Sequence, residues 1–273
     1  MILLASSIKD VASMNIARQI LGNMNFEEDD SFQENPAYEI RLNNQDVKLV
    51  TLNEESINAQ DLAGFFPDLE LVVFVSRHKS ESGTPTLSVH APGNLSSAEL
   101  GGILRKVSIS PANAMRSALR AMAGLRDKMH LDYEVSYECT HHGPSLDVPA
   151  MFVELGSSPA QWNDLWAAKA VAQAAIEAIS GFGVRQTSAV LGIGGPHYNA
   201  KFTRMALDGE LAFGHMIPKY AIGAIDVEIL RQCVERTLEP VERVILDWKG
   251  IRSENKTALV KMVDELGLPV QRV

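Results

Sequence analysis

Short apolar runs alternate with amphipathic stretches along most of this chain. A continuous apolar run such as LELVVFVS, residues 69–76, predicts a strand that is buried on both faces of a sheet. The other predicted strands are ILLAS, YEIRL, VKLVTL, YEVSYECT, MFVEL, TSAVLGIGG, ELAFGHMI and RVILDW, with one short strand between residues 77 and 94. Helical spacing of apolar residues predicts helices over residues 10–21, 111–129, 158–181, 196–207, 225–237 and 253–267.

This alternation of strands and helices predicts an α/β fold. We expect a single domain, residues 1–273, with a mostly parallel mixed sheet that helices cover on both faces. The runs YEIRL and VKLVTL, which NNQD joins, predict a hairpin. The acidic segment 25–37 has no apolar periodicity, so we expect a surface loop there.

Composition narrows the classes of function. The chain has 273 residues, 46% of them hydrophobic, and a formal net charge of −9, which argues against DNA or other polyanions binding over the whole surface. It contains no apolar run of 18 residues, and MILLASS lacks a basic leader, so we expect no membrane partner and no secretory signal. Two cysteines, Cys139 and Cys233, fit a reducing compartment, and the expected location is the cytoplasm.

One segment is basic within this acidic chain. Residues 100–130 contain a single acid, Asp127, and six basic residues: Arg105, Lys106, Arg116, Arg120, Arg126 and Lys128. Local positive charge of this kind suits phosphate contacts. An ordinary solvated helix face would have the same composition, and the sequence leaves both interpretations open.

The stretch ECTHHGPS concentrates groups that bind metals or transfer protons. In an extended strand, Glu138 and His142 would share one face and His141 would lie on the other. Both histidines reach one site only if the backbone turns, which the following Gly-Pro pair favours. Glu154 interrupts the apolar run MFVEL, where a charge is costly unless it is paired or used. We expect these four residues to form a site, with a merely polar strand end as the alternative.

Further candidates come from other loops around the predicted strands. Because ligands of α/β sheets bind beyond the carboxyl ends of strands, these loops can share one site. Glycines there let a phosphate or an oxyanion approach backbone N–H groups, and nearby cations can pair with it. A tight turn with an incidental histidine remains the alternative, and His215 is expected to lie in the core. The candidates are His78, His90, His197, Gly194, Gly195, Arg77, Lys79, Lys201 and Lys219.

The grouping of histidines favours a metal centre. Neutral imidazoles with carboxylates at strand ends suit Zn²⁺ in an open catalytic site, where bound water becomes acidic enough to attack a substrate. The chain has neither an HExxH nor a CxxC motif to fix the ligands. The candidate metal ligands are therefore His78, His90, His141, His142 and His197.

Taken in order, five long motifs resemble those of the D-aminoacyl-tRNA deacylases of the archaeal and plant type. They are RHKSESGTPTLSVHAPGN, ECTHHGPS, PAMFVELGSSPAQW, GIGGPHYNAKFT and GHMIPKY. The resemblance implies a zinc-dependent hydrolase that cleaves the ester between a D-amino acid and the 3′ end of tRNA. It also implies a fold similar to those of peptidyl-tRNA hydrolases and nucleoside phosphorylases, and it makes the basic segment a candidate tRNA-facing patch.

The resemblance suggests a role for each candidate. The histidines would hold Zn²⁺ and move protons, and Glu154 or Glu138 would act as general base or support a ligand. The amides of Gly194 and Gly195 would stabilise an oxyanion. Contacts to the substrate are assigned to Arg77, Lys79, Lys201, Lys219, Arg116 and Arg120.

Several alternatives stay open at the level of sequence. Hydrolysis without a metal would use a histidine base or the terminal ribose hydroxyl. A related enzyme could act on peptidyl-tRNA or on nucleosides, since one fold hosts many functions. A non-catalytic tRNA-binding module is a third class. We expect a monomer, because no coiled coil or self-association face is apparent.

Overall fold

Two β-sheets form the framework of the protein in a computed structural model, which describes residues 1–183 and 187–273. The strands are β1 Ile2–Ser7, β2 Glu27–Phe32, β3 Asn35–Leu42, β4 Gln45–Leu52, β5 Leu71–Lys79, β6 Thr86–His90, β7 Glu134–Tyr137, β8 Ala150–Ser157, β9 Ser188–Ile193, β10 Leu211–Ile217, β11 Val241–Leu246 and β12 Val270–Arg272. The helices are α1 Val11–Asn23, α2 Ala112–Met129, α3 Pro159–Trp162, α4 Leu165–Ser180, α5 Ala200–Asp208, α6 Val227–Glu235 and α7 Ser253–Asp264.

The larger sheet has eight strands in the order β2-β3-β4-β1-β5-β8-β6-β7. Its centre, β4-β1-β5-β8, is parallel, whereas the β2-β3 and β3-β4 pairs are antiparallel and β6 runs antiparallel to β8. The second sheet, β10-β9-β11-β12, is parallel throughout. The predicted α/β fold with a mostly parallel mixed sheet is confirmed, and the last four strands add a sheet of their own.

Alternation along the central strands divides the larger sheet into two faces. On β5 and β8, odd-numbered residues such as Val75 and Val153 pack into a core that also contains residues of α1, α2 and α4. The same core includes Val190 and Phe213 of the second sheet, so it is continuous between the two sheets. The even-numbered face begins with the stacked rings of Phe74 and Phe152, whose centroids lie 4.7 Å apart, and becomes polar farther along β5 and β8.

One edge of the larger sheet differs from the prediction. The hairpin of YEIRL and VKLVTL is confirmed as β3 and β4, but segment 25–37 was predicted to be a loop and instead supplies β2 and the start of β3. β2 obtains its backbone hydrogen bonds from β3 while its residues stay largely exposed. An exposed edge strand therefore forms here without any apolar periodicity.

The helices differ from prediction mainly at their ends. The helix predicted over residues 158–181 is two helices, because Asp164 caps α4 by accepting hydrogen bonds from the backbone N–H groups of Trp166 and Ala167. α2 begins at Ala112, after Pro111 in the N-cap position. In the described parts of the chain, no helix combines the length and the apolar character needed to span a membrane.

Candidate active site

Three strands of the larger sheet place acidic and imidazole groups on its even-numbered face. In the sheet register, Ser76 of β5 and Ser88 of β6 both lie opposite Glu154 of β8. His78 and His90 follow two residues later on their own strands, so all these side chains point to the same side. The site lies over the face of the sheet. The strand-end rule predicts a site beyond the carboxyl ends of the strands, and the site differs from that prediction because β6 runs antiparallel to β8.

The segment after β7 brings further groups to this face. β7 ends at Tyr137, and the next residues are held by hydrogen bonds from Cys139 N–H to the carbonyl oxygen of His197 (2.9 Å) and from Thr140 N–H to that of Met216 (2.9 Å). The predicted alternation beyond Tyr137 is wrong because the strand has already ended.

The predicted turn that unites the two adjacent histidines is confirmed. His142 has a left-handed φ of +44°, so the chain changes direction after His141. The two rings then lie 4.2 Å apart between centroids.

Glu138 is the central carboxylate of the site. Its side chain is fully buried, with Oε1 3.2 Å from His78 Nδ1, and Oε2 3.0 Å from His197 Nε2 and 3.7 Å from His141 Nε2. Burial alone would raise the pKa of Glu138, but the His78 imidazole and the hydrogen bond from His197 lower it to about 2. Glu138 is therefore ionised at neutral pH.

Glu154 is the second buried carboxylate. Its Oε1 accepts a 2.5 Å hydrogen bond from the Ser76 hydroxyl and lies 3.7 Å from His90 Nε2, while its Oε2 lies 3.6 Å from His78 Nδ1. Burial alone would raise the pKa of Glu154, but the His78 and His90 imidazoles hold it well below its usual value. Burial disfavours protonation of these two imidazoles as well, yet Glu138 and Glu154 outweigh it and raise both histidine pKa values.

Three histidines share an orientation that suits a metal. The Nδ1 atoms of His90, His141 and His142 lie 3.3, 2.9 and 2.7 Å from backbone carbonyl oxygens, which only accept hydrogen bonds. Each Nδ1 therefore carries a proton, so Nε2 is the atom that each ring would offer to a metal. Burial and neighbouring imidazoles lower the pKa of His142 to about 4 and that of His141 well below its usual value, so both are neutral ligands at neutral pH.

The donor set fits Zn²⁺. His90 Nε2 and Glu138 Oε1 are buried without a hydrogen-bond partner, as polar atoms intended for a ligand would be. Potential ligand atoms lie within 4.8 Å of one another in three overlapping groups in the described residues: His90, His141 and His142; Glu138, His141 and His197; and His78, Glu138 and Glu154. The first group matches the three-histidine sets of open catalytic zinc sites.

Two tyrosines complete the site, and the sequence interpretation missed both. The Tyr198 hydroxyl lies 2.7 Å from His78 Nε2, and the Tyr220 hydroxyl lies 3.0 Å from His197 Nδ1. The only sequence signal was their position, beside His197 and in the segment HMIPKY. The His141 and His197 side chains are 25% and 23% exposed, so a substrate meets the cluster on their side.

Arg77 and Lys79 belong to the other face of the larger sheet. The Arg77 guanidinium pairs with Glu55 at 2.8 Å and lies 5.7 Å from the centre of the Trp162 ring. It is one residue out of phase with His78 and so points away from the cluster. Lys79 is exposed at the end of β5.

The glycine-rich loop after β9 lies beside the cluster, but its groups are largely occupied. The Gly194 N–H donates to the Ile217 carbonyl oxygen at 2.8 Å. It is therefore not free to stabilise an oxyanion, and the prediction for this amide is wrong. The Lys201 ammonium pairs with Asp247 at 2.5 Å. The Gly195 carbonyl oxygen accepts a hydrogen bond from the N–H of Lys219, whose side chain is exposed.

The basic segment does not form one patch. The Arg116 guanidinium is buried and donates to the carbonyl oxygens of Ala206 and Gly209, and Arg120 donates to that of Leu207. Both arginines therefore hold the carboxyl end of α5. Three further basic residues of the segment form ion pairs: Arg105–Asp226, Lys106–Asp147 and Arg126–Asp127.

His215 is a core histidine, as predicted. Its Nε2 lies 3.1 and 3.2 Å from the carbonyl oxygens of Ser108 and Arg236, and its Nδ1 accepts from the Thr140 hydroxyl at 3.0 Å. All its polar atoms are thus paired, and burial lowers the pKa of His215 to about 4.

Comparison with known proteins identifies the family. The family model described as D-aminoacyl-tRNA deacylase matches residues 65–271. Proteins named D-aminoacyl-tRNA deacylase from Thermococcus kodakarensis and Pyrococcus horikoshii are 39% and 37% identical over 268 and 270 residues, in each case 95% of both chains. The crystal structure of AF0625, a conserved protein of unknown function, is 29% identical with a TM-score of 0.87, covering 100% of this chain and 95% of that one. This chain belongs to the D-aminoacyl-tRNA deacylase family.

Proposed function

We propose that this protein hydrolyses the ester that joins a D-amino acid to the 3′ end of tRNA, releasing the free amino acid and the tRNA. The observation that carries the proposal is the shared orientation of His90, His141 and His142 in a member of this family: each Nδ1 lies on a backbone carbonyl oxygen, so each Nε2 would face a ligand beside two ionised carboxylates.

We further propose that His90, His141 and His142 hold Zn²⁺. When bound, the ion supplies a Lewis acid that makes water nucleophilic near neutral pH. The Nδ1–H donors fix the tautomer of each ligand, because they bond to backbone carbonyl oxygens. Since Glu154 favours a proton on His90, that ring would have to lose this proton to hold a metal, and zinc binding should weaken as the pH falls.

The remaining residues would orient the histidines and exchange protons. Glu138 accepts a hydrogen bond from His197 Nε2 and stabilises positive charge on that ring. His197 is partly exposed, so its ring lies where a substrate would meet the cluster. Glu138 has a depressed pKa and is a weak base, so it supports a histidine better than it removes a proton from water. Glu154 supports His78 and His90 in the same way.

The decisive experiment compares release of D-tyrosine and L-tyrosine from matched aminoacyl-tRNAs, with and without a zinc chelator. D-selective release that the chelator abolishes is the expected result, and zinc addition should restore it. D-selective release that survives chelation would keep the deacylase and discard the metal. No release of either amino acid would reject the deacylase, and peptidyl-tRNA would be the next substrate to assay.

The setting of the reaction is part of the proposal. We propose a cytoplasmic location, which the presence of two buried, free cysteines supports, because it fits a reducing compartment. We also propose a monomer, whose mass in sedimentation equilibrium should match the 29.8 kDa of the chain.

A further inference from the structure

Tyr220 displays an aromatic ring to solvent directly beside the candidate active site. Its side chain is 60% exposed. Among the described residues, two other strongly exposed aromatic side chains, Phe65 and Trp166, have other surroundings: Phe65 packs edge-on against Phe32, and Trp166 donates to the Met129 carbonyl oxygen. The exposure of Tyr220 is therefore the one that a substrate at the cluster would meet.

The ring of Tyr220 is held in place despite its exposure. Because His197 Nε2 donates to Glu138, its Nδ1 accepts the hydrogen bond from the Tyr220 hydroxyl at 3.0 Å. The planes of the Tyr220 and His197 rings differ by 23°, with centroids 6.4 Å apart. Next to it, the Lys219 N–H bonds to the Gly195 carbonyl oxygen at 2.9 Å. A ring fixed in this way loses little freedom when a flat group stacks on it.

The chemistry of the substrate places a flat group at this position. The ester that reacts is carried by the terminal ribose of the tRNA, and the same ribose carries the terminal adenine. When the ester reaches the exposed edges of His141 and His197, whose ring centroids lie 4.5 Å apart, the adenine is only one sugar ring away. Single-stranded bases are commonly held by stacking on exposed aromatic side chains.

We propose that Tyr220 is the stacking platform for the terminal adenine of the tRNA substrate. This inference rests on the proposed deacylase function and deepens it, because it assigns a substrate-positioning residue outside the histidine and glutamate cluster. The Lys219 ammonium, exposed on the neighbouring residue, suits the phosphate that precedes the terminal nucleoside.

The test uses the full-length protein and three variants: Tyr220→Ala, Tyr220→Phe and, as a control for loss of an exposed aromatic ring elsewhere, Trp166→Ala. Two quantities are measured: KM and kcat for D-tyrosyl-tRNA, and inhibition of that reaction by adenosine and by ribose. Tyr220→Ala should raise both the KM and the adenosine inhibition constant by about 5- to 150-fold, the range for loss of one base stack. Inhibition by ribose should not change.

The other variants separate stacking from a role of the hydroxyl. Tyr220→Phe keeps the ring but loses its hydrogen bond to His197, so it should raise the KM and the adenosine inhibition constant much less than Tyr220→Ala does, and Trp166→Ala should leave both at the wild-type values. If Tyr220→Phe lost as much as Tyr220→Ala, the residue would act through His197 and the proposal would be overturned. Absence of adenosine inhibition in the wild type would overturn it as well. Failure of the wild type to release D-tyrosine at all would instead reject the proposed function, so the two failures are distinguishable.

Discussion

Gly156 on β8 and His78 on β5 lie opposite each other in the sheet, so close that a Cβ atom on Gly156 would fall 2.6 Å from the Cβ atom of His78. Real Cβ atoms do not approach one another to this distance, so Gly156 keeps the space in which His78 reaches Glu138 and Glu154. The position of the cluster therefore depends on a residue that has no functional group.

We predict that Gly156→Ala displaces His78 and damages the site. The free energy of unfolding should fall by about 1–3 kcal/mol, as for overpacked positions, and kcat should fall by up to ~100-fold because the cluster is misplaced. Denaturant unfolding and D-tyrosyl-tRNA hydrolysis measure the two effects. Gly124→Ala is the matched control, since a Cβ there meets nothing within 4 Å, and it should stabilise α2 by about 0.5–1 kcal/mol. A wild-type kcat in Gly156→Ala would show that the position of His78 does not depend on Gly156 or does not matter for catalysis.

Removal of one proposed ligand should remove the metal. For His90→Ala we expect loss of bound zinc and a fall in D-tyrosyl-tRNA hydrolysis of at least about 100-fold, more than is usual for residues that merely support a ligand. The double variant His141→Ala and His142→Ala should behave alike. Elemental analysis of the purified proteins measures the zinc. His130→Asn changes an exposed histidine outside the cluster, in a left-handed position that Asn tolerates, and should keep both zinc and activity. An unchanged rate in the double variant would rule out this site.

His215 should make the protein less stable in mild acid. Its pKa is about 4 in the folded protein and 6.5 in its unperturbed state. Above pH 6.5 both states are neutral; between pH 6.5 and 4 only the unfolded state takes up the proton, so acid favours unfolding. The loss should reach about 3 kcal/mol at pH 4.

The contribution of His215 can be isolated by comparison of variants. The free energy of unfolding, measured from pH 7.5 to 4, should fall less steeply in His215→Gln than in the wild type, because that variant cannot take up the proton. His130→Asn should follow the wild-type curve. Parallel curves for all three proteins would show that His215 does not carry the effect.

Arg116 should be important for stability and not for tRNA binding. Its two charge-assisted hydrogen bonds, to Ala206 and Gly209, are buried and partly buried, respectively, so Arg116→Ala should lower the free energy of unfolding by about 2–3 kcal/mol. The KM for D-tyrosyl-tRNA and its salt dependence should stay unchanged. Lys128→Ala, on the exposed side of α2, should change stability by less than about 0.5 kcal/mol. A higher KM with a shallower salt slope in Arg116→Ala would restore the sequence-based assignment to phosphate binding.

The sequence predicted most of the fold because the central strands are buried on both faces and have distinct apolar runs. It failed at β2, where the acidic residues Glu27–Phe32 gain their order from β3 and Asp29 pairs with Lys48. Its partner β3 begins only two residues later, but β2 buries almost none of its side chains, so no apolar alternation marks it as a strand.

The site was predictable to the same extent. A turn after adjacent histidines was readable from Gly143 and Pro144, but the role of an arginine was not. In the sequence, Arg116 and Arg77 cannot be told from arginines that bind phosphate. Their actual partners, the Gly209 carbonyl oxygen and the Glu55 carboxylate, depend on burial and on the face of the strand from which the side chain projects. Tyr220 was missed because exposure beside a site is a property of the fold.

The cluster draws on both sheets: His78, His90 and Glu154 lie on strands of the larger one, and His197 and Tyr220 on loops of the smaller one. Glu138 spans the junction, since it contacts His78 on one side and His197 on the other. A slight separation of the two sheets would disassemble the chemistry while each sheet kept its own hydrogen bonds. Catalysis should therefore disappear at lower denaturant concentrations than secondary structure. Activity is then a more sensitive measure of the packing between the two sheets than secondary structure is.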